Sequence, residues 1–137
     1  MKEQSDLSSI CEEKFIQSFI LKEKQDRLMS FAKNIKNRKK FSSSLVHSKN
    51  INGKYIQHIP SENQTASRIE MLLKQMGAPD ICYVISEHTR MDKMQSDLSS
   101  ILSQVVGSGM SSVICCIPGK LAYYEGEERG ERYLLIN

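Results

Sequence analysis

The stretch ICYVISEHTRMDKMQSDLSSILSQVVGSGMSSVICCI, residues 81–117, decides the fold of this chain of 137 residues. Two continuously apolar, β-rich runs, residues 81–85 and 113–117, flank a segment whose apolar residues recur at helical spacing. Buried strands joined by a helix are normally parallel, with a right-handed crossover. The stretch therefore predicts one βαβ unit in the middle of a sheet.

The residues that follow predict a C-terminal antiparallel meander. Pro118 and Gly119 occupy the second and third positions of a type II turn, so residues 121–124 return antiparallel to the preceding strand. Residues 132–136 form the last strand of this meander. Residues 55–59 are predicted to form a short edge strand, which ends before Pro60.

One long amphipathic helix is predicted over residues 9–36. It begins with a capping box, Ser9 followed by Glu12, and its apolar residues recur at helical spacing. The apolar stripe needs a partner surface, and the sequence leaves two open: the sheet of the same chain or a second copy in a homodimer.

These segments together predict an α/β fold of the α+β-like kind. We expect residues 1–137 to form a single domain, with a helical N-terminal region over 1–40 and a sheet-containing core over 55–137. The sheet is expected to be mixed, with four or five strands. Hydrophobic residues make up 39% and charged residues 26%, a composition typical of a globular domain. No apolar run approaches the roughly 20 residues of a membrane span, so no membrane partner is expected.

Positive charge concentrates in the N-terminal half. Residues 1–60 carry 12 Lys and Arg against 6 Asp and Glu, whereas residues 61–137 carry 7 against 10. A cluster of this kind meets phosphates or an acidic partner, or else forms a solvated helix end. The cluster consists of Lys33, Lys36, Arg38, Lys39 and Lys40.

The candidate catalytic residues lie in the segment that follows the first buried strand. Ligands gather beyond the carboxyl ends of parallel strands, so residues 86–90 are expected to border a crevice. His88 would act as acid or base, Glu87 would orient it, and Arg90 would bind an anion. The segment lacks the glycine-rich form of phosphate-cradling turns, so no cofactor is predicted.

Cys11, Cys82, Cys115 and Cys116 form no C-x-x-C pair. The apolar neighbours of Cys82, Cys115 and Cys116 predict burial and a raised thiol pKa. All four thiols are expected to be reduced, and the N-terminus lacks a leader-like pattern, so a cytoplasmic protein is expected. His47, His58 and His88 match no ligand spacing, and no metal site is predicted.

The last loop supplies a second candidate binding surface. Residues 121–124 alternate faces of their strand, so we expect one of Tyr123 and Tyr124 to be exposed. An exposed Tyr124 beside Glu127 and Glu128 is a plausible protein-binding feature.

The leading functional hypothesis is a small non-catalytic protein-binding or regulatory module. It would act through the basic cluster or the acidic C-terminal loop, on a protein partner or on a second copy. Two alternatives stay open: an enzyme acting on an anionic substrate through residues 86–90, and nucleic-acid binding through residues 33–40. Nucleic acid is less favoured because aromatic residues make up only 7% and Trp is absent.

Overall fold

A six-stranded antiparallel sheet forms the centre of the fold, in a computed structural model that describes residues 2–45, 48–128 and 130–137. Its strands are β1 (Ile56–His58), β2 (Ile81–Ser86), β3 (Gln95–Asp97), β4 (Ser112–Ile117), β5 (Leu121–Glu125) and β6 (Arg132–Ile136). Their order across the sheet is β1-β6-β5-β4-β2-β3. The two edge strands are therefore the two shortest, which limits edge-to-edge pairing between copies.

Helices cover both faces of this sheet. They are α1 (Lys2–Phe19), α2 (Lys22–Ala32), α3 (Arg38–Leu45), α4 (Ala66–Gln75) and α5 (Leu98–Val105). Residues of α1, α2 and α3 share one hydrophobic cluster with one sheet face, and residues of α4 and α5 share a second cluster with the other. The central strands are consequently apolar on both sides: Tyr83 and Ile85 belong to the first cluster, and Cys82 and Val84 to the second.

The predicted parallel βαβ unit is wrong. Strands β2 and β4 are neighbours, but they pair antiparallel, with Tyr83 opposite Cys115 and Ile85 opposite Val113. The cause is β3, whose residues were predicted to belong to the helix between the two strands. β3 turns back along the free edge of β2, so α5 starts from the opposite end of the sheet and β4 enters in the reverse direction. The sheet is accordingly not mixed, and it has six described strands where four or five were expected.

The predicted long N-terminal helix is divided in two. The backbone of residues 19–21 leaves the helix to pair with residues 50–52: Leu21 N donates to Asn50 O at 2.9 Å, and Asn52 N donates to Phe19 O at 2.8 Å. The apolar stripe of both helices is buried on the sheet of the same chain. Of the two partner surfaces that the sequence left open, the sheet is the one used.

The remaining elements confirm the α+β class and the single domain. The meander of β4, β5 and β6 is antiparallel throughout, and β1 is an edge strand. Gly119 has φ +73°, and Lys120 N donates to Ile117 O at 2.9 Å, as the predicted type II turn requires. Among the described residues, no helix is both long and apolar enough to cross a membrane.

Candidate functional site

A network of charged and polar side chains joins three separate parts of the chain. Arg38, the first residue of α3, donates to both oxygens of Asp92, from Nε and Nη2, each at 2.9 Å. Its Nη1 donates to Glu12 Oε2 of α1 at 2.7 Å. The Tyr83 hydroxyl of β2 donates to the same Glu12 oxygen. We call these four residues the Arg38 network.

The Arg38 network is largely withdrawn from solvent. The side chains of Arg38, Glu12 and Asp92 are 18%, 10% and 13% exposed, and the guanidinium carbon lies 4.7 Å from the centre of the Phe41 ring. Burial alone would lower the pKa of Arg38, but the hydrogen bonds and charges of Asp92 and Glu12 raise it above its usual range. Burial, reinforced by Glu12, likewise raises the pKa of Tyr83. Arg38 therefore stays charged, and Tyr83 stays a neutral donor.

Asp92 also fixes the connection between β2 and β3. Its Oδ1 accepts from Ser86 N at 3.1 Å. The buried Ser86 hydroxyl accepts from His88 N at 3.0 Å and lies 2.8 Å from the Ser112 hydroxyl of β4. Lys93 N donates to Val84 O at 2.8 Å. Residues 87–94 are thus held at both ends to β2 and, through Arg38, to α3.

A groove of about 430 Å³ opens between α3 and this connection. Its lining residues come from three segments: Lys39, Lys40, Ser42, Ser43, Glu87 and Met110. The groove therefore brings together the basic cluster and the segment 86–90, which sequence reasoning had treated as separate candidates. The hydrogen bonds from Arg38 to Asp92 join α3 to the connection that contributes Glu87.

The three catalytic candidates are not gathered in this groove. Among the described lining residues, Glu87 is the member that segment 86–90 contributes. His88 is half-buried, and its Nδ1 accepts a hydrogen bond at 3.2 Å from the backbone amide of Arg90. The Arg90 side chain is exposed. His88 therefore contacts the backbone of Arg90 within a local turn, and this hydrogen bond does not involve the Arg90 guanidinium.

Four of the five basic residues remain available to a partner. Lys33, Lys36, Lys39 and Lys40 are exposed, and no ion pair of theirs occurs in the described part of the chain. Arg38 is the exception, because its guanidinium forms ion pairs with Glu12 and Asp92. We call the four lysines the basic surface.

The prediction for Tyr124 is wrong. Tyr123 and Tyr124 are both buried, at 0% and 2% exposure, because helices cover both faces of the sheet and alternation exposes neither side. Within the meander, Tyr133 of β6 is partly exposed, and its ring stacks on Tyr124 with centroids 5.5 Å apart. Glu127 and Glu128 are exposed, as a binding surface requires.

Glu125, next to that loop, is an internal residue. Its carboxylate accepts from the Tyr123 hydroxyl at 2.7 Å and from Gly107 N at 2.9 Å, and it lies 3.5 Å from Arg132 Nε. Burial raises the pKa of Glu125 although all three partners act in the opposite direction. Its role is to tie the end of α5 to β5 and β6.

The predicted burial of Cys82, Cys115 and Cys116 is confirmed, whereas the predicted raised pKa holds for Cys115 and Cys116 and is wrong for Cys82. All four cysteines are buried and free. The pKa of Cys115 and that of Cys116 are raised well above the ordinary value, whereas hydrogen bonds from these two thiols lower the pKa of Cys11 and of Cys82. The described side chains include no group of three or more metal-ligating residues. His47 lies outside the described residues.

Sequence reasoning missed Glu12, Tyr83 and Asp92 as members of the site. Glu12 did carry a signal, since it shares a helix face with Ile16 and Phe19, where a carboxylate needs a buried partner. Asp92 carried none, because its segment was interpreted as a helix. Comparisons with family models, with curated proteins and with solved structures found no match. The chemistry of the site therefore rests on its geometry.

Proposed function

We propose that this protein is a non-catalytic binding module that docks an acidic segment of a protein partner on its basic surface. One observation carries the proposal. Between Asp26 and Glu62 the chain has eight Lys and Arg and no carboxylate, and in the part of the chain that the structure describes, Arg38 is the one of these cations with an ion pair. The others are left without a carboxylate of their own, which favours association with an anion.

The groove suits a peptide better than a nucleic-acid backbone. Lys39 and Lys40 offer ammonium donors to an acidic side chain, and Met110 offers an apolar contact. Glu87 places a carboxylate in the same groove, where it can accept a hydrogen bond from a peptide amide but repels a continuous row of phosphates. A peptide offers acidic side chains that can pair with Lys39 and Lys40, and backbone N–H groups that can donate to Glu87.

Aromatic contacts support the same choice. Binding of single-stranded nucleic acid relies on aromatic side chains on which bases stack. The two partly exposed rings of the basic region are already covered by cations: Arg27 lies 5.4 Å from the Phe31 ring centre, and Lys54 lies 5.0 Å from that of Tyr55. A base that stacks on either ring would have to compete with this cation for one of its faces.

Fluorescence anisotropy with a short fluorescein-labelled poly-Glu peptide tests the proposal on the full chain. At low salt we expect saturable binding, weakened by added salt and weakened by about tenfold or more in the double variant Lys39→Glu/Lys40→Glu. The matched control is Lys120→Glu, an equally exposed lysine in the turn between β4 and β5. This control should change the affinity by less than about twofold.

Three outcomes would overturn this function. Tighter binding of a labelled DNA duplex than of the peptide would favour nucleic acid. Equal loss of affinity in Lys39→Glu/Lys40→Glu and in the control would remove the basic surface from the site. Absence of peptide binding at low salt would leave no acidic partner, and sedimentation of the same sample would show whether a second copy occupies the surface instead.

A further inference from the structure

Cys82 and Cys116 face each other across two central strands. In the pairing of β2 with β4, the last pair at this end is Tyr83 opposite Cys115, and Cys82 and Cys116 are the next residue of each strand beyond it. Both side chains belong to the cluster beneath α4 and α5, and each thiol is close enough to the other to shift its pKa. The two sulfur atoms are therefore neighbours in the native fold.

The hydrogen-bond pattern identifies the type of this pair. Glu87 N donates to Ser111 O of the β4 side at 3.1 Å. Because hydrogen-bonded positions alternate along a strand, every second residue of β2 counted from Glu87 faces β4 with its backbone groups. Val84, by contrast, donates to Met94 O and accepts from Lys93 N on the β3 side. Cys82 has the parity of Val84, so continuing the register by one residue gives a non-hydrogen-bonded position opposite Cys116. In such pairs the Cα atoms are about 4.5 Å apart, within the range of about 4.4–6.8 Å that a disulfide spans.

The surroundings assign different roles to the two thiols. The hydrogen bond from Cys116, and secondarily the charge of Lys74, lower the pKa of Cys82, whereas the pKa of Cys116 is raised. Cys82 is buried, but its neighbour Ile81 is 53% exposed at the start of β2. Cys82 therefore lies one residue from solvent, and its reaction with an external disulfide requires a local opening of this strand end.

We propose that Cys82 and Cys116 form a thiol-oxidation site that reacts with low-molecular-weight disulfides such as glutathione disulfide. The Cys82 thiolate attacks one sulfur of glutathione disulfide, forms a mixed disulfide and releases one glutathione thiolate. Cys116 loses its proton, attacks Cys82 Sγ, and expels the second glutathione thiolate. The protein dithiol is oxidised by two electrons, and one glutathione disulfide is reduced to two glutathione molecules.

The second neighbouring pair, Cys11 and Cys115, provides the internal comparison. It joins α1 to β4, and among the described strand pairs none includes Cys11. Cys115 and Cys116 are adjacent in one strand but belong to opposite faces of the sheet. Oxidation should therefore consume Cys82 and Cys116 and spare the other two thiols.

Mass spectrometry of the full chain after incubation with glutathione disulfide tests the site. We expect the mass of the intact protein to fall by about 2 Da, two of four thiols to resist alkylation, and a peptide map to link Cys82 to Cys116. Cys116→Ser should stop the reaction at a glutathione adduct on Cys82, whereas the matched variant Cys115→Ser should still form the link.

The wild-type peptide map decides the matter even where Cys116→Ser fails to fold. Four thiols that remain free, a stable glutathione adduct on the wild-type protein, or a link between Cys11 and Cys115 would each overturn the proposal. The site does not depend on the binding function proposed above, since neither cysteine contacts the groove among its described lining residues.

Discussion

Replacing Arg38 with methionine should destabilise the fold far more than a change at its exposed neighbours. The substitution keeps an unbranched side chain over Phe41 but removes three charge-assisted hydrogen bonds, two to Asp92 and one to Glu12. Both carboxylates then stay in place without a cation, at 10% and 13% exposure. Uncompensated buried charge, not the lost attraction itself, dominates the cost.

The magnitude follows from this degree of burial. Breaking a fully buried ion pair by removing one partner costs about 3–5 kcal/mol. Because these side chains keep some contact with water, we expect a value near the lower end, about 3 kcal/mol for Arg38→Met. Arg38→Lys keeps the charge but loses the planar fork that reaches both oxygens of Asp92, so it should still cost about 1–2 kcal/mol.

Urea denaturation followed by circular dichroism at neutral pH measures these losses. Lys39→Met is the matched control, since Lys39 is exposed and without an ion pair in the described part of the chain, and it should change the free energy of unfolding by less than about 0.5 kcal/mol. Asp92→Asn combined with Arg38→Met should cost less than the sum of the single changes. A loss below about 1 kcal/mol for Arg38→Met, or strict additivity, would refute the reasoning.

Two further predictions concern Glu125 and Gly119. Burial raises the native pKa of Glu125, so the native state keeps a proton that the unfolded chain has already released, and stability falls as the pH rises from the ordinary glutamate pKa to the native one. Glu125→Gln should abolish this fall, and urea midpoints of both proteins between about pH 4 and pH 7 would show parallel curves if the assignment is wrong. Gly119→Ala should cost about 1–2 kcal/mol, because φ is +73° and the new Cβ would lie 2.8 Å from Ser18 Oγ. Gly53→Ala, with nothing within 4 Å and an ordinary φ, is its control in thermal unfolding and should be nearly neutral.

The two central strands β2 and β4 could be predicted from the sequence, because a strand that is buried on both faces consists of consecutive apolar residues. Residues 81–85 and 113–117 are continuously apolar, and each is a central strand covered by helices on either side. The same two-sided cover explains the error at Tyr124. Of two adjacent residues in a strand, one is exposed only where one face of the sheet meets water.

The members of the Arg38 network could not be paired from the sequence. Arg38 lies 26 residues from Glu12 and 54 from Asp92, and a helix-terminal arginine within a run of lysines has the ordinary appearance of a solvated cation. What distinguishes it from its neighbours is burial over Phe41. This is a property of how α3 packs on the sheet, and no local pattern encodes it.

The direction of β4 has a consequence for where the site lies. Residues 86–90 were chosen because parallel strands gather ligands beyond their carboxyl ends, and that premise fails in an antiparallel sheet. A groove still forms at this end, because the three-residue strand β3 returns the chain so that residues 106–111 arrive beside residues 87–94, with Glu87 N bonded to Ser111 O. The hydrogen bonds from Arg38 to Asp92 join helix α3, on one side of the groove, to the connection on the other side. If this groove is the proposed docking site, Arg38→Met should weaken binding of an acidic peptide even though Lys39 and Lys40 are intact.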